Sequence, residues 1–485
     1  MFTAAILVGV LLFLLYAATA RPRRFPPGPF NLPLVGYLPF LDRRVYRSFR
    51  DLSEIYGDVF SLNVGTFRVV VLSSFESIRD AFKEEAFAGR PDLPFLLLRS
   101  YRRGITFSQG PNWTEMRRFT VRHLRDFGFG KSTLEGMVQD EISELLGRLE
   151  EDVGHPVQLD HRFNLAVVNA LWTITTGRRF SQDDYDASAS AKSISEAIGR
   201  LSHGGPAEFM PFLTKFGPLK KDLDERVAML TTLRALIADA VDRHKETHTS
   251  GDESDFVHVF LENMTDDRSE ASFRGAAGDL NLRVVMQDLF IAGTETTSTS
   301  LLWLVLLLSL HPDVQEKVQR EIDAQVPRTQ LPSMEHRPRL PYTEAVIKES
   351  MRYVSLTPLG LFHCAVRDTD FRGYRIPKGT ILFANLHQVH HSPDHWQRPN
   401  DFYPEHFLDP DGQLNVPAAL IPFSIGKRSC LGESLARMEL FLFTAALFQK
   451  FTFKLPAGEP VPSLEPAGAV VLSPRPYRIL IELRK

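Results

Sequence analysis

The chain has 485 residues, of which 44% are hydrophobic, and its formal net charge is −3. This balance is typical of a large globular protein and excludes the strongly basic surface that nucleic-acid-binding proteins use. Cys364 and Cys430 are the only cysteines. A disulfide framework is therefore excluded, and a reducing compartment or one thiol employed in chemistry is indicated.

The N-terminal stretch 2–20 contains no charged residue. As a helix it would be about 28 Å long, which is close to the hydrocarbon thickness of a bilayer. Three arginines follow within residues 21–24, and basic residues on that flank favour a cytosolic position for the downstream chain. A cleaved signal peptide is the alternative, because Ala18-Thr19-Ala20 resembles a cleavage site, but the basic region that begins such peptides is missing. We predict a retained membrane anchor over residues 1–20.

The rest of the chain divides into a hinge and one domain in this interpretation. Residues 21–29 are basic and rich in proline, which predicts a stiff connector. Residues 30–485 show no repeat and no long linker, so we predict a single domain there. Apolar periodicity predicts helices over 113–126, 137–152, 220–245, 281–310, 312–325, 341–354 and 431–450. Short β-branched or aromatic runs predict strands over 59–64, 67–72, 380–384 and 469–482. The fold class is mainly α with small β-sheets (α+β), and an alternating βαβ architecture is excluded.

Trp113 and Arg117 lie four residues apart and therefore share one face of the helix predicted over 113–126. The indole N–H and the guanidinium group suit two propionate oxygens of a cofactor. The alternative is a core tryptophan beside a solvated arginine.

The stretch 291–297, IAGTETT, lies inside the long apolar helix predicted over 281–310. Glycine, hydroxyl and acidic residues in mid-helix carry a propensity cost. The Thr296 hydroxyl can donate to the Ala292 carbonyl at i−4, and with Gly293 this would open the helix locally. An opened groove suits O2 and water. A helix kink that serves only packing is the alternative.

The segment FSIGKRSCLG, residues 423–432, places Cys430 between a glycine turn and an apolar helical run. Gly432 lets a flat ligand approach, and the N-terminus of the following helix is predicted to lower the pKa of the thiol and favour thiolate. A thiolate is a metal ligand or a nucleophile. No CxxC or histidine pair supports zinc, whereas haem iron needs one protein thiolate, and Arg428 could pair with a propionate. A nucleophile with a distant base such as His363 stays open.

This segment resembles the haem-binding signature of the cytochrome P-450 superfamily, Phe-x-x-Gly-x-Arg-x-Cys-x-Gly, at every fixed position. The resemblance implies that Cys430 is the iron ligand, that Phe423 packs by the thiolate, and that Arg428 contacts a propionate. It extends over nearly the whole chain and makes residues 30–485 a haem-thiolate catalytic domain.

The same resemblance assigns roles to other residues. Glu295 and Thr296 would relay protons for cleavage of dioxygen, which needs two protons without flooding the site with water. The small Ala292 belongs to the same motif at the haem. Four residues would bind the propionates together with Arg428: Arg90, Trp113, Arg117 and His363. The family usually has proline before the last of these, and Phe362 stands here.

Glu349 and Arg352 are three apart on the helix predicted over 341–354, so they can pair. In the family, this pair is joined by an arginine from a Pro-Glu-Arg-Phe segment to lock the core. This chain has PEHF at 404–407, and His406 lacks the guanidinium fork. We predict a structural role for all three, with a weaker or pH-sensitive triad.

The stretches 107–131, 292–303 and 373–380 resemble microsomal family 2 most closely. That resemblance implies a membrane-bound enzyme of the endoplasmic reticulum that faces the cytosol and hydroxylates an apolar small molecule: a steroid, fatty acid, terpenoid or xenobiotic. Its cofactor would be haem b, its co-substrate O2, and its electron donor an NADPH-dependent cytochrome reductase, with cytochrome b5 as a second candidate partner. A basic face for the reductase is predicted from Arg117, Arg118, Arg122, Arg125, Lys131, Lys427 and Arg437. The alternatives are a peroxide-using isomerase or peroxygenase, and a non-catalytic haem carrier or sensor.

Overall fold

A computed structural model describes residues 21–127, 132–160, 162–180, 206–210, 215, 217–249, 251, 254–266, 268 and 270–484. The anchor predicted over residues 1–20 lies outside the described residues. Most of the described chain is helical, with small sheets beside the helices. This confirms the predicted fold class.

Fourteen α-helices are described, and several begin with proline at the first turn, where its missing N–H costs no hydrogen bond. Their bounds are α1 Val45–Tyr56, α2 Phe75–Lys83, α3 Pro94–Ser100, α4 Gly110–Asp126, α5 Ser132–Glu151, α6 Arg162–Thr176, α7 Pro206–Phe209, α8 Gly217–Thr247, α9 Phe256–Thr265, α10 Gly275–Leu310, α11 Pro312–Gln325, α12 Pro341–Val354, α13 Leu386–His390 and α14 Glu433–Lys450.

The nine described strands form three small sheets. Their bounds are β1 Val59–Val64, β2 Phe67–Leu72, β3 Pro156–Gln158, β4 His363–Cys364, β5 Thr369–Phe371, β6 Tyr374–Ile376, β7 Ile381–Ala384, β8 Phe451–Lys454 and β9 Arg478–Leu483. The largest sheet has the order β1-β2-β7-β4, in which only β2 and β7 are parallel. The second has the order β3-β9-β8, and β5 and β6 form a hairpin. The strand predicted over 469–482 was too long, since β9 occupies only the end of that range.

Helix α10 is the central helix of the domain. It packs against α6, α8, α12 and α14, and most of its residues are buried. By length and hydropathy it is also the one described helix that could cross a membrane, but 67% of its apolar window is buried inside the protein. Its apolar character therefore reflects its place in the core.

The predicted structural pair, Glu349 and Arg352, is fully buried. The Glu349 carboxylate accepts two hydrogen bonds of 2.7 Å from Arg352, and both side chains are 0% exposed. His406 donates through Nδ1 to Glu349 at 3.2 Å and accepts at Nε2 from the Arg398 backbone N–H. A neutral histidine satisfies both bonds, so the triad forms without a second guanidinium group.

Candidate active site

The loop before α14 is folded by a close contact at Gly426. Its φ is +79°, and a Cβ there would lie 2.2 Å from the Phe82 carbonyl oxygen, so only glycine fits. The Cys430 N–H donates to the Phe423 carbonyl at 2.9 Å, which closes the loop. Cys430 is thereby held two residues before Gly432, the N-cap of α14.

Ten of the eleven candidate residues line one cavity of about 380 Å³. They come from the loops after α2 and before α14, from α4 and α10, and from β4. The ten are Arg90, Trp113, Arg117, Ala292, Thr296, His363, Phe423, Arg428, Cys430 and Gly432. The eleventh, Glu295, does not line this cavity.

Three guanidinium groups converge at one end of the cavity. Burial and mutual repulsion lower the pKa of Arg428 to about 8, and burial followed by the charge of Arg117 lowers the pKa of Arg90 to about 10. None forms an ion pair with a carboxylate in the part of the chain that the structure describes. Their N–H groups donate to backbone carbonyls instead. Arg90 donates to Thr106 and Phe362, and Arg117 donates to Ser429. Arg428 donates to Ala88, Ile105 and Ser108. Buried positive charge of this kind calls for an anionic ligand.

Trp113 is the polar group left unpaired at the same end. Its indole Nε1 is buried and has no hydrogen-bond partner among the described residues. The Arg428 guanidinium lies over the ring, 3.9 Å from its centroid, which fixes both groups. An orphaned buried donor beside three cations fits an acceptor-rich anion.

The electrostatics of Cys430 differ from the prediction. The side chain presents surface to the cavity yet lies deep in the protein, and burial raises the pKa of its thiol. The Gly432 N–H and the charge of Arg117 oppose this effect without reversing it. The predicted lowering by the helix terminus was wrong, because desolvation of a thiolate outweighs a dipole that begins two residues later.

Helix α10 contributes Ala292 and Thr296 to the cavity wall. The Thr296 hydroxyl donates to the Ala292 carbonyl at 2.7 Å, as its spacing predicted. The helix nevertheless runs unbroken from Gly275 to Leu310. Gly293 packs closely on α6, since a Cβ there would lie 2.9 Å from a Leu171 methyl group and that side chain would have to shift.

The comparisons with known proteins agree with this geometry. The cytochrome P450 family model matches residues 26–481. Cytochrome P450 2L1 of Panulirus argus is 36% identical over 498 aligned positions, covering 100% of both chains. The farnesoate epoxidase of Bombyx mori is 34% identical, covering 100% of this chain and 99% of its own. Cytochrome P450 2D6 of Homo sapiens is 38% identical, covering 98% of this chain and 97% of its own. The chain belongs to the cytochrome P450 family.

Membership in the cytochrome P450 family makes the protein a haem-thiolate monooxygenase that uses O2 and electrons from a redox partner. The described residues fit the cofactor. One thiol lines the cavity, an orphaned indole N–H and three guanidinium groups suit the propionates, and a Cβ at Gly432 would meet nothing within 4 Å, which leaves room for a flat ring.

His363 is more constrained than its sequence context suggested. It is buried, its ring stacks on Phe82 with centroids 3.7 Å apart, and its Nδ1 donates to the Phe87 carbonyl at 2.8 Å. Burial, with the charge of Arg90, holds the pKa of its ring well below the ordinary value. In the neutral ring Nε2 is therefore an acceptor, and donation to a propionate requires a second proton on the imidazole.

Glu295 is turned away from the cavity that Thr296 lines. Neighbouring residues on a helix point about 100° apart. The Glu295 carboxylate accepts a hydrogen bond of 3.4 Å from Thr299, and burial raises the pKa of Glu295 to about 6. The acid and the alcohol of the motif are thus adjacent in sequence but differently placed.

Glu439 was not foreseen as part of this site. It lines the cavity from α14, is 2% exposed, and its Oε1 has no hydrogen-bond partner among the described residues. Burial raises its pKa to about 8, against a hydrogen bond with Thr297, so the carboxyl group is largely protonated at neutral pH. The available signal was an acidic residue inside the largely apolar run 438–448.

Proposed function

We propose that this protein is a membrane-bound monooxygenase that hydroxylates an apolar small molecule, with Cys430 as the thiolate ligand of haem b. The observation that carries the assignment is that Cys430 and Thr296 line one cavity together with three arginines that have no carboxylate partner among the described residues. The other cysteine, Cys364, is buried and does not line that cavity.

Besides Cys430, five residues would hold the cofactor in this proposal. Arg90, Trp113, Arg117 and Arg428 offer donors to the propionates, and Phe423 covers the thiolate side, where its ring is fixed 4.9 Å from the Arg437 guanidinium. A sixth, His363, would contribute packing unless its ring gains a proton. When bound, the haem supplies the electron transfer and oxygen activation that side chains cannot.

Proton supply would rest on α10. The Thr296 hydroxyl can rotate from the Ala292 carbonyl to donate into the cavity. Glu295, with a pKa of about 6, can release and regain a proton near neutral pH, and we assign it the role of reloading Thr296 after a change of rotamer or through water.

The substrate would be apolar. Aliphatic and aromatic side chains dominate the cavity wall, among them Phe95, Leu96, Phe107, Leu289, Leu361 and Phe362. The buried charges Arg99, Glu208 and Asp288 lie in the same wall. One relative is named a farnesoate epoxidase. A steroid, fatty acid, terpenoid or xenobiotic fits such a wall.

We further propose an NADPH-dependent cytochrome reductase as electron donor, cytochrome b5 as a second partner, and anchoring in the endoplasmic reticulum membrane by residues 1–20. Arg122 and Arg125 are exposed on α4, the helix that carries Arg117. Three other residues of the predicted basic face are paired: Arg118 with Glu270, Lys427 with Glu85, and Arg437 with Glu433. Lys131 lies outside the described residues.

Turnover with different oxidants tests this function against its alternatives. The purified protein is reconstituted with NADPH and a microsomal reductase and offered a panel of apolar substrates under ¹⁸O2. Incorporation of one ¹⁸O atom, dependent on NADPH, is expected. Product formed only from added peroxide would support the isomerase or peroxygenase, and ligand binding without product would support a carrier.

Replacing Thr296 by alanine is expected to uncouple the reaction, because the cavity loses its hydroxyl donor. Product per NADPH falls at least about tenfold while NADPH consumption continues and hydrogen peroxide rises. The measurement is the ratio of product to NADPH consumed. Thr231→Ala is the matched control, since its hydroxyl makes the same i−4 bond, to Val227, on a helix surface. Unchanged coupling in Thr296→Ala would contradict the donor role.

A further inference from the structure

A cluster of histidines and one aspartate lies outside the active-site cavity, where the C-terminal end of α8 meets the start of α9. A ring nitrogen of His244, a ring nitrogen of His258 and an oxygen of Asp255 lie within 4.8 Å of one another. All three residues are buried, with 7%, 8% and 2% exposure in that order. None lines the active-site cavity.

The carboxylate of Asp255 is positioned by the fold. Its Oδ1 accepts the His258 backbone N–H at 2.9 Å and so caps α9. Its Oδ2 then faces both rings, 3.0 Å from His244 Nε2 and 3.0 Å from His258 Nδ1. Because the oxygen is fixed by a helix cap, the ligand set does not depend on a mobile side chain.

The protonation of His244 is set by its own helix. Its Nδ1 lies 2.6 Å from the Ala240 carbonyl oxygen, which can only accept, so Nδ1 carries the proton. In the neutral ring Nε2 then presents a lone pair towards the carboxylate oxygen. Two lone pairs 3.0 Å apart are stable only with a cation between or beside them, either a second proton on the ring or a metal ion.

The spacing suits a small transition-metal ion. Zinc binds imidazole nitrogen and carboxylate oxygen at about 2.0–2.2 Å, so neighbouring ligand atoms of a tetrahedron lie about 3.3 Å apart. The two distances of 3.0 Å need only a slight expansion. The donated Nδ1–H bond to a backbone carbonyl is also the outer contact that orients metal-binding histidines.

A fourth ligand, which would be the third nitrogen, is available one helical turn further along. His248 follows His244 by four residues, its ring stacks 5.9 Å from that of His258, and its Nδ1 is buried without a hydrogen-bond partner among the described residues. Its Nε2 is 3.4 Å from the Glu262 carboxylate, which can orient it.

We propose that His244, Asp255 and His258 bind one zinc ion, with His248 completing the site. The ion joins α8 to α9 and the segment before it, next to the end of α6, where Gly177 approaches so closely that a Cβ would lie 3.1 Å from Asp255 Oδ2. The site is structural, since it lies away from the active-site cavity. Zinc then stabilises the folded state without taking part in oxygenation.

The test uses the haem-loaded full-length protein, stripped with a chelator and titrated with zinc chloride by calorimetry. One zinc ion per chain and a rise in the unfolding temperature are expected. His258→Ala should weaken zinc binding by about a hundredfold or more and His248→Ala by about tenfold. His155→Ala, a lone exposed histidine, should bind zinc as the unaltered protein does.

Two results would overturn the site. One is that the unaltered protein takes up no more zinc than the background level. The other is uptake that His258→Ala and His248→Ala leave unchanged, which would mean that protons alone bridge the cluster. The haem spectrum of each variant without zinc reports folding, and if His258→Ala does not fold, the stoichiometry and His248→Ala decide.

Discussion

Replacing Cys430 by serine abolishes oxygenation and removes the strongly red-shifted Soret band that thiolate-ligated haem shows when reduced and bound to carbon monoxide. The physical reason is that a serine hydroxyl is a far weaker acid than a thiol and a harder ligand, so it stays protonated and does not supply the electron density with which a thiolate favours O–O cleavage. Turnover should fall by about 10³-fold or more. The difference spectrum and the NADPH-dependent rate are the two measurements.

Cys364→Ser provides the matched control. Cys364 is buried on β4, its Sγ lies 3.7 Å from the Ala365 carbonyl oxygen, and burial raises the pKa of its thiol to about 11. The variant should keep the red-shifted band and most of its activity. A red-shifted band that persists in Cys430→Ser and disappears in Cys364→Ser would exchange the assignments of the two cysteines.

The burial of Cys430 explains why formation of the thiolate would depend on the bound iron. Because burial raises the pKa of Cys430, the protein alone favours the neutral thiol at neutral pH. A coordinated metal ion deprotonates a thiol outright. In this account the nearby guanidinium and N–H groups assist the thiolate, and iron supplies the larger part of its stabilisation.

Replacing Glu349 by glutamine is the second change with a large expected effect, and it acts on stability. The substitution leaves the Arg352 guanidinium uncompensated at a position of 0% exposure, which costs about 3–5 kcal/mol. Glutamine also presents an N–H₂ group where Glu349 accepts the Tyr403 backbone N–H at 2.7 Å. Loss of haem retention and a clear fall in the unfolding temperature are expected, measured by the Soret band during heating.

Glu316→Gln is the control for this prediction. It removes a carboxylate from an i,i+4 pair with Arg320 at 3.9 Å, in which both side chains are more than two-thirds exposed. Such a pair contributes little, about 0–1 kcal/mol. His406→Ala should lie between the two variants, since it removes one donor to Glu349. Equal unfolding temperatures for Glu349→Gln and Glu316→Gln would show that the buried pair does not hold the core.

Local signals in the sequence were sufficient for many elements. Helices α11 and α12 coincide with their predicted ranges because a proline marks each start, and β1 and β2 coincide with theirs because a two-residue turn separates two β-branched runs. Helix α6 was missed. Thirteen of its 15 residues are buried, so it shows no polar face from which helical periodicity could be detected.

The sequence by itself determined the chemistry that this protein can carry: one cysteine after a glycine turn, an alcohol bonded to its own helix, and arginines and a tryptophan at fixed spacing. These properties are local, because they depend on residue type and on helix and turn geometry. The tertiary structure alone decided which groups share the cavity, why Glu295 turns away while Glu439 enters, and why the pKa of Cys430 rises. Burial and the meeting of distant segments set these features, and no short stretch of sequence encodes them.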